Sequence, residues 1–231
     1  MTAVLVITGG PDYAHDFAAS SGALADIVLA GGHDVVVVGD VDAGAAMLPG
    51  GFGVIVINAL RWQMSHERYD HLRHQWAYST APATQQAIAG FVADGGGLVG
   101  IHTASICFDD WTEWRDVLGG GWNWERSSHP PLGPVTATTV AHAVHPVTAG
   151  LASLSLVDEV YGDMDLVAGC EVLMSARRTP DDDEQPVVWA HRYGRGRVVY
   201  DGFGHDAVSL ADRDHAALIG RAIQWVTEGE R

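Results

Sequence analysis

Residues 95–105, GGGLVGIHTAS, end a short apolar run on a histidine. Residues 98–101 have the bulk and length of a buried strand. The small residues around His102 allow a tight strand-to-helix elbow, the turn at which many α/β enzymes hold their nucleophile exposed above the sheet. His102 offers instead a base, an acid or a metal ligand. Open α/β sheets bind ligands beyond the carboxyl ends of their strands. Other polar residues fall at such points: His15 after the first apolar run, Asn58 at the end of the third, Thr103 beside the elbow residue, and His205 with Asp206 after residues 198–203. His129 stands in a proline-limited loop. Asp158-Glu159-Val160-Tyr161 joins two carboxylates and a phenol. In an extended segment Glu159 and Tyr161 share a face and Asp158 points away, so Glu159 is the site candidate and Asp158 reads as a solvent-facing charge.

Histidine and carboxylate together can exchange protons with a hydroxyl or with a carbon next to a ketone. The pattern predicts His102, Glu159 and His205 as catalytic groups. It predicts His15, Asn58, Thr103, Trp111, His129, Tyr161 and Asp206 as substrate contacts. A divalent metal is open as cofactor, with His102, His129, Glu159 and His205 as candidate ligands, because imidazole and carboxylate together suit Zn, Mn, Fe or Ni. No H-E-x-x-H helix fixes that ligand set. Trp111, Trp114, Trp122 and Trp124 offer aromatic faces to a sugar, or else core packing under a long loop. His145 reads as a turn-holding residue, with His142 a weaker candidate still. Cys107 reads as a small buried residue rather than a nucleophile. Neither a phosphate-binding G-x-x-x-x-G-K-[ST] nor a G-x-G-x-x-G after the first strand is present.

The formal charge of −16 repels phosphate backbones and anionic lipid, so neither nucleic acid nor a membrane is an expected partner. Part of that charge is a solvated loop, Asp181 to Glu184. No run approaches the ~20 apolar residues of a membrane span. The two cysteines make no disulfide framework. The first residues enter a strand directly, without the basic and cleavable pattern of a signal peptide. A cytoplasmic protein is the expectation.

The elements follow from apolar periodicity. Residues 3–8, 34–38, 53–57 and 98–101 are continuous apolar runs, as expected of parallel strands covered on both faces. Residues 17–30 and 84–93 have helical spacing, each stopped by glycines. Residues 58–83 form a long polar excursion with some helix. The second half is richer in strands: 135–140, 151–161, 171–176, and a hairpin of 186–191 with 196–202. A terminal helix spans 212–226. The expected fold is α/β, a doubly wound and mainly parallel sheet with a β-hairpin addition, in one domain over 1–231.

An ordered set of motifs resembles the ThuA-like (trehalose-utilisation) family. It comprises GGGLVGIHTAS, FDDW at 108–111, LGG at 118–120, His129-Pro130, HPVTAGL at 145–151, DEVY at 158–161, the stretch 186–206 and Trp225 in the terminal helix. Tyr13 and His15 also fit. Residues 58–83 depart most from the family pattern. The resemblance implies a flavodoxin-like, class I glutamine amidotransferase-like fold. Amidotransferases of that fold carry cysteine where this chain has His102, so glutamine hydrolysis through a thioester has no nucleophile. The resemblance further implies bacterial carbohydrate metabolism, including trehalose and its keto derivatives. The expected partner is a small, sugar-derived substrate, and related sheets pair in ways that leave a homodimer open. The expected function is action on a sugar or keto-sugar at a histidine-rich site, without glutaminase activity. The alternative is a non-catalytic metabolite-binding or accessory module, and a remnant glutaminase using Cys107 is a third reading.

Overall fold

The computed structural model describes residues 1–140, 144–179 and 181–228. The strands in chain order are β1 (Ala3–Gly9), β2 (Asp34–Val38), β3 (Val54–Ala59), β4 (Gly97–Ile101), β5 (Gly120–Gly121), β6 (Gly133–Thr139), β7 (Ser153–Asp158), β8 (Asp165–Leu166), β9 (Glu171–Ala176), β10 (Gln185–Tyr193) and β11 (Gly196–Asp201). The helices are α1 (Phe17–Ala30), α2 (Val41–Met47), α3 (Asp70–Trp76), α4 (Pro82–Ala93), α5 (Trp114–Leu118), α6 (Ala207–Ala211) and α7 (Arg213–Thr227). Nine strands form one sheet in the order β2-β1-β3-β4-β11-β10-β9-β6-β7, and β5 pairs with β8 in a small separate ribbon.

The sheet has two halves. From β2 to β11 every ladder is parallel, and from β11 to β7 every ladder is antiparallel. It is therefore a mixed sheet, not the mainly parallel one expected. The 186–202 hairpin is no appendage: β11 enters the parallel half beside β4, and β10 starts the antiparallel half.

Side-chain alternation explains the layers. In β1, Val4 and Val6 face α1 and α7, while Leu5 and Ile7 face α2 and α4. Both sides are covered, so the strand is apolar throughout. β6 and β7 alternate buried with exposed residues, because helices cover only one face of that half. Asp16 and Asp40 cap α1 and α2 by accepting from Ala19 and Ala43 N–H, and Asp206 caps α6 through Ser209 N–H. The 58–83 excursion contains a 3₁₀ turn, Glu67–Tyr69, and α3. Its apolar residues close a satellite cluster of Phe17, Leu60, Trp62 and Met64. His142 lies outside the described residues. His145 holds its turn by accepting from Val147 N–H at 3.2 Å.

One expectation reverses here. Asp158 is 2% exposed, not solvent-facing. It ends β7 and accepts from Gly204 N–H at 2.8 Å, from Glu159 N–H at 2.8 Å and from the Ser209 hydroxyl.

Beneath it, His215 Nε2 lies 3.0 Å from the Asp201 carboxylate, and its Nδ1 lies 2.8 Å from Ser209 O. Burial disfavours the charged ring, but Asp201 and the Ser209 carbonyl outweigh it and raise its pKa. A raised histidine contributes stability fully below the unfolded pKa of about 6.5 and loses it as pH climbs through the folded value. Urea unfolding at successive pH values should therefore show wild type losing stability above pH ~6.5 more steeply than His215→Gln. Equal slopes would remove this pair as the cause.

Candidate functional site

Six side chains meet at the carboxyl edge of the parallel half. His102 follows β4 at φ 46°, in the left-handed region that costs a residue with a Cβ about 1–3 kcal/mol. The surroundings hold it there. Tyr200 OH donates to His102 O at 2.8 Å, Thr103 Oγ1 to Ala59 O at 2.7 Å, and Trp114 Nε1 to Ala104 O at 2.9 Å. A Cβ at Gly100 would lie 2.6 Å from Leu118 Cδ1, so a larger residue under the elbow would force the Leu118 side chain to shift.

His102 is only 1% exposed, which corrects the expectation of an exposed apex. Its Nδ1 lies 2.8 Å from Gly202 O. Since the carbonyl can only accept, Nδ1 carries a proton, and in the neutral ring Nε2 keeps its lone pair. Nε2 accepts from Tyr161 OH at 2.9 Å. His15, just ahead of the α1 cap, points Nδ1 at His205 O, 3.2 Å away. His205 follows Gly204, whose φ of 105° suits glycine. The rings of His15, His102 and His205 stand 4.5 to 5.5 Å apart, centroid to centroid, at angles of 64° to 82°.

Glu159 sits where β7 has just ended. Its carboxylate lies 3.3 Å from His129 Nδ1, 3.4 Å from His205 Nδ1 and 3.5 Å from His102 Nε2. Burial pushes the Glu159 carboxyl up, but the surrounding imidazoles outweigh it and hold it well below the usual range. Conversely, Glu159 raises His129 and His205. His15 is pushed down to about 4, first by burial and then by His102. Burial, reinforced by Glu159, holds the Tyr161 phenol high, so it stays a donor. Environments that drive neighbouring groups apart in this way separate acid from base roles.

The cluster floors a cavity of about 270 Å³ walled by Tyr13, Trp62, Arg68, Tyr69, Trp122 and Trp124. Trp122 stacks edgewise on Tyr161, centroids 5.2 Å apart, and Trp124 is 47% exposed at the rim. Trp62, Arg68 and Tyr69 come from the 58–83 excursion, which thus builds one wall.

The fold brings His15, His102, His129, Glu159, Tyr161 and His205 together. Four other residues expected there are placed elsewhere. Asn58 is buried and donates to Ser20 and Ser21 hydroxyls. Thr103 pins the elbow. Trp111 packs against Phe108 and Trp114. The Asp206 carboxylate caps α6. Arg68 and Tyr69 join the cavity without a motif to mark them, being only a basic residue and an aromatic inside a polar stretch.

Cys107 is buried, donating to Ala59 O and accepting from Arg61 N–H. Burial pushes its thiol up to about 12, so it holds almost no thiolate at neutral pH. Iodoacetamide should leave Cys107 unmodified in the folded protein by peptide mass spectrometry, and glutamine should release no ammonia.

No helix among the described residues is long and apolar enough to cross a membrane. No curated protein matches the chain. Several solved structures share its fold. A ThuA-like protein from Parabacteroides merdae superposes with a TM-score of 0.78 at 20% identity, covering 98% of this chain and 90% of that one. A cytoplasmic protein from Salmonella typhimurium gives 0.66 at 16% identity over 97% and 99%. A beta-galactosidase from Bacillus circulans gives 0.60 at 16% identity, where the match covers 96% of this chain and 30% of that enzyme. The ThuA family model, described as trehalose utilisation, matches residues 3–226, and the chain belongs to that family.

Proposed function

We propose that this protein is an enzyme of carbohydrate metabolism that moves a proton on a sugar or keto-sugar bound in the 270 Å³ cavity. We read it as a single cytoplasmic unit on a class I glutamine amidotransferase-like, flavodoxin-like fold, without glutaminase activity. One observation carries the reading: the Glu159 carboxylate stands 3.3 to 3.5 Å from three imidazole nitrogens on the floor of an aromatic-walled cavity. A carboxylate at that position has the reach to take the proton from a carbon beside a ketone, and its strength as a base rises when a bound substrate draws the imidazole donors away from it. The imidazole N–H groups around it are the donors available to the oxygen on which negative charge then develops. His129, half-exposed, links Glu159 to solvent. Trp122 and Trp124 present faces to the apolar side of a sugar ring. His102, covered by its neighbours, positions Tyr161 and the other rings rather than touching the sugar.

The test is proton exchange. The protein is incubated with a keto-disaccharide in D₂O, and the signal of the hydrogen beside the ketone is followed by NMR. Loss of that signal faster than in buffer supports the reading. No exchange, combined with a sugar-dependent rise in Tm, would favour the second reading, a metabolite-binding module. The observation on that side is the burial of His102, which keeps the elbow residue from touching a sugar in the cavity.

A further inference from the structure

We infer that His15, His102 and His205 form a three-imidazole site for a divalent transition-metal ion, with Glu159 as the adjoining carboxylate. The inference takes its location from the reading above but not its chemistry. One potential ligand atom from each of the three histidines lies within 4.8 Å of the others. An ion at ~2.1 Å from each nitrogen draws ligand atoms to roughly 3.4 Å of one another in tetrahedral geometry, so a small inward swing of the rings suffices. The rings stand steeply tilted to one another instead of stacking, as three ligands on one face of an ion must.

The second shell fits as well. Metal-bound histidines usually donate their other N–H to a carbonyl or carboxylate, which fixes the tautomer. His102 Nδ1 meets Gly202 O and His15 Nδ1 meets His205 O. Both rings are thus left with Nε2 as the nitrogen that would face an ion. His205 Nδ1 is buried without a hydrogen-bond partner, 3.4 Å from Glu159. The Tyr161 hydroxyl now occupies the Nε2 lone pair of His102; an ion takes that lone pair and the phenol turns aside. Three neutral imidazoles beside one carboxylate suit Zn, Fe, Ni or Co and leave open positions for substrate oxygens. The expected sequence-based set of ligands thus changes in one member: His15 enters, and His129, on the far side of Glu159, leaves.

The experiment uses untagged, chelator-treated protein titrated with Co²⁺ alone, read by its visible d–d absorption, with circular dichroism confirming the fold of each variant. The expected result is one Co²⁺ per chain. His15→Ala and His205→Ala should each weaken binding by at least the ~10–100-fold that loss of a supporting residue costs a metal site. His129→Ala should retain it. No d–d spectrum at saturating Co²⁺ overturns the inference. So does a spectrum that survives in folded His15→Ala and His205→Ala, or one that is lost only in His129→Ala. No sugar is present, so the deuterium-exchange result bears on the proposed reaction alone.

Discussion

Asp158→Ala should lower the unfolding free energy by about 3–5 kcal/mol, because it leaves three buried donors without their acceptor. The carboxylate accepts from Gly204 N–H, Glu159 N–H and the Ser209 hydroxyl. Alanine leaves all three without that acceptor, and each orphaned buried group costs about 1–3 kcal/mol. For a chain of this size that is a fall in Tm of roughly 10 °C. Asp158→Asn keeps one acceptor oxygen and should lose less. Urea titration measures both. A loss under about 1 kcal/mol for alanine would mean that the carboxylate does not hold the loop. Because that loop carries His205, the alanine variant should also bind Co²⁺ more weakly while still folded below its Tm.

Glu159→Gln should reduce proton exchange on a keto-sugar by about 10²–10⁴-fold, the usual contribution of a positioned general base. The amide keeps the shape of the side chain and loses the basic oxygen. The loss should therefore fall on kcat with little change in KM, since an interaction made only in the transition state has been removed. An unchanged kcat would move the base to another residue, and a change confined to KM would make Glu159 a binding group. Single-turnover exchange separates these outcomes.

The parallel half of the fold was legible in the sequence. Its strands are short apolar runs with glycine stops, and they fell within about two residues of the predicted ends. The antiparallel half is legible as strands but not as half of the same sheet. Local patterns do not encode which strands pair, and β11 joins β4 through residues 100 apart in sequence. Within the site, the histidines and Glu159 were recoverable because buried strands rarely end on such groups by chance. Asn58, Thr103 and Asp206 occupy the same sort of position, yet their side chains serve the backbone or a neighbouring helix. Sequence position fixes the edge of the sheet where a residue lies, not the direction in which its side chain turns. Asp158 shows the same limit: alternation placed it opposite Glu159 correctly, but what lay on that side was core.

The mixed sheet has a thermodynamic consequence. His15, His102 and His205 hang from the parallel half, and Glu159 and Tyr161 from the end of the antiparallel half. No short contiguous fragment contains the site, which runs from His15 to His205. It exists only after contacts of long sequence separation have closed, late in folding. A ligand bound there is linked to global rather than local unfolding. At 100 times its Kd it should add about 2.7 kcal/mol to the stability of the whole chain, slowing hydrogen exchange of buried amides in β1 and β3 that open only with global unfolding as much as of those beside the cavity.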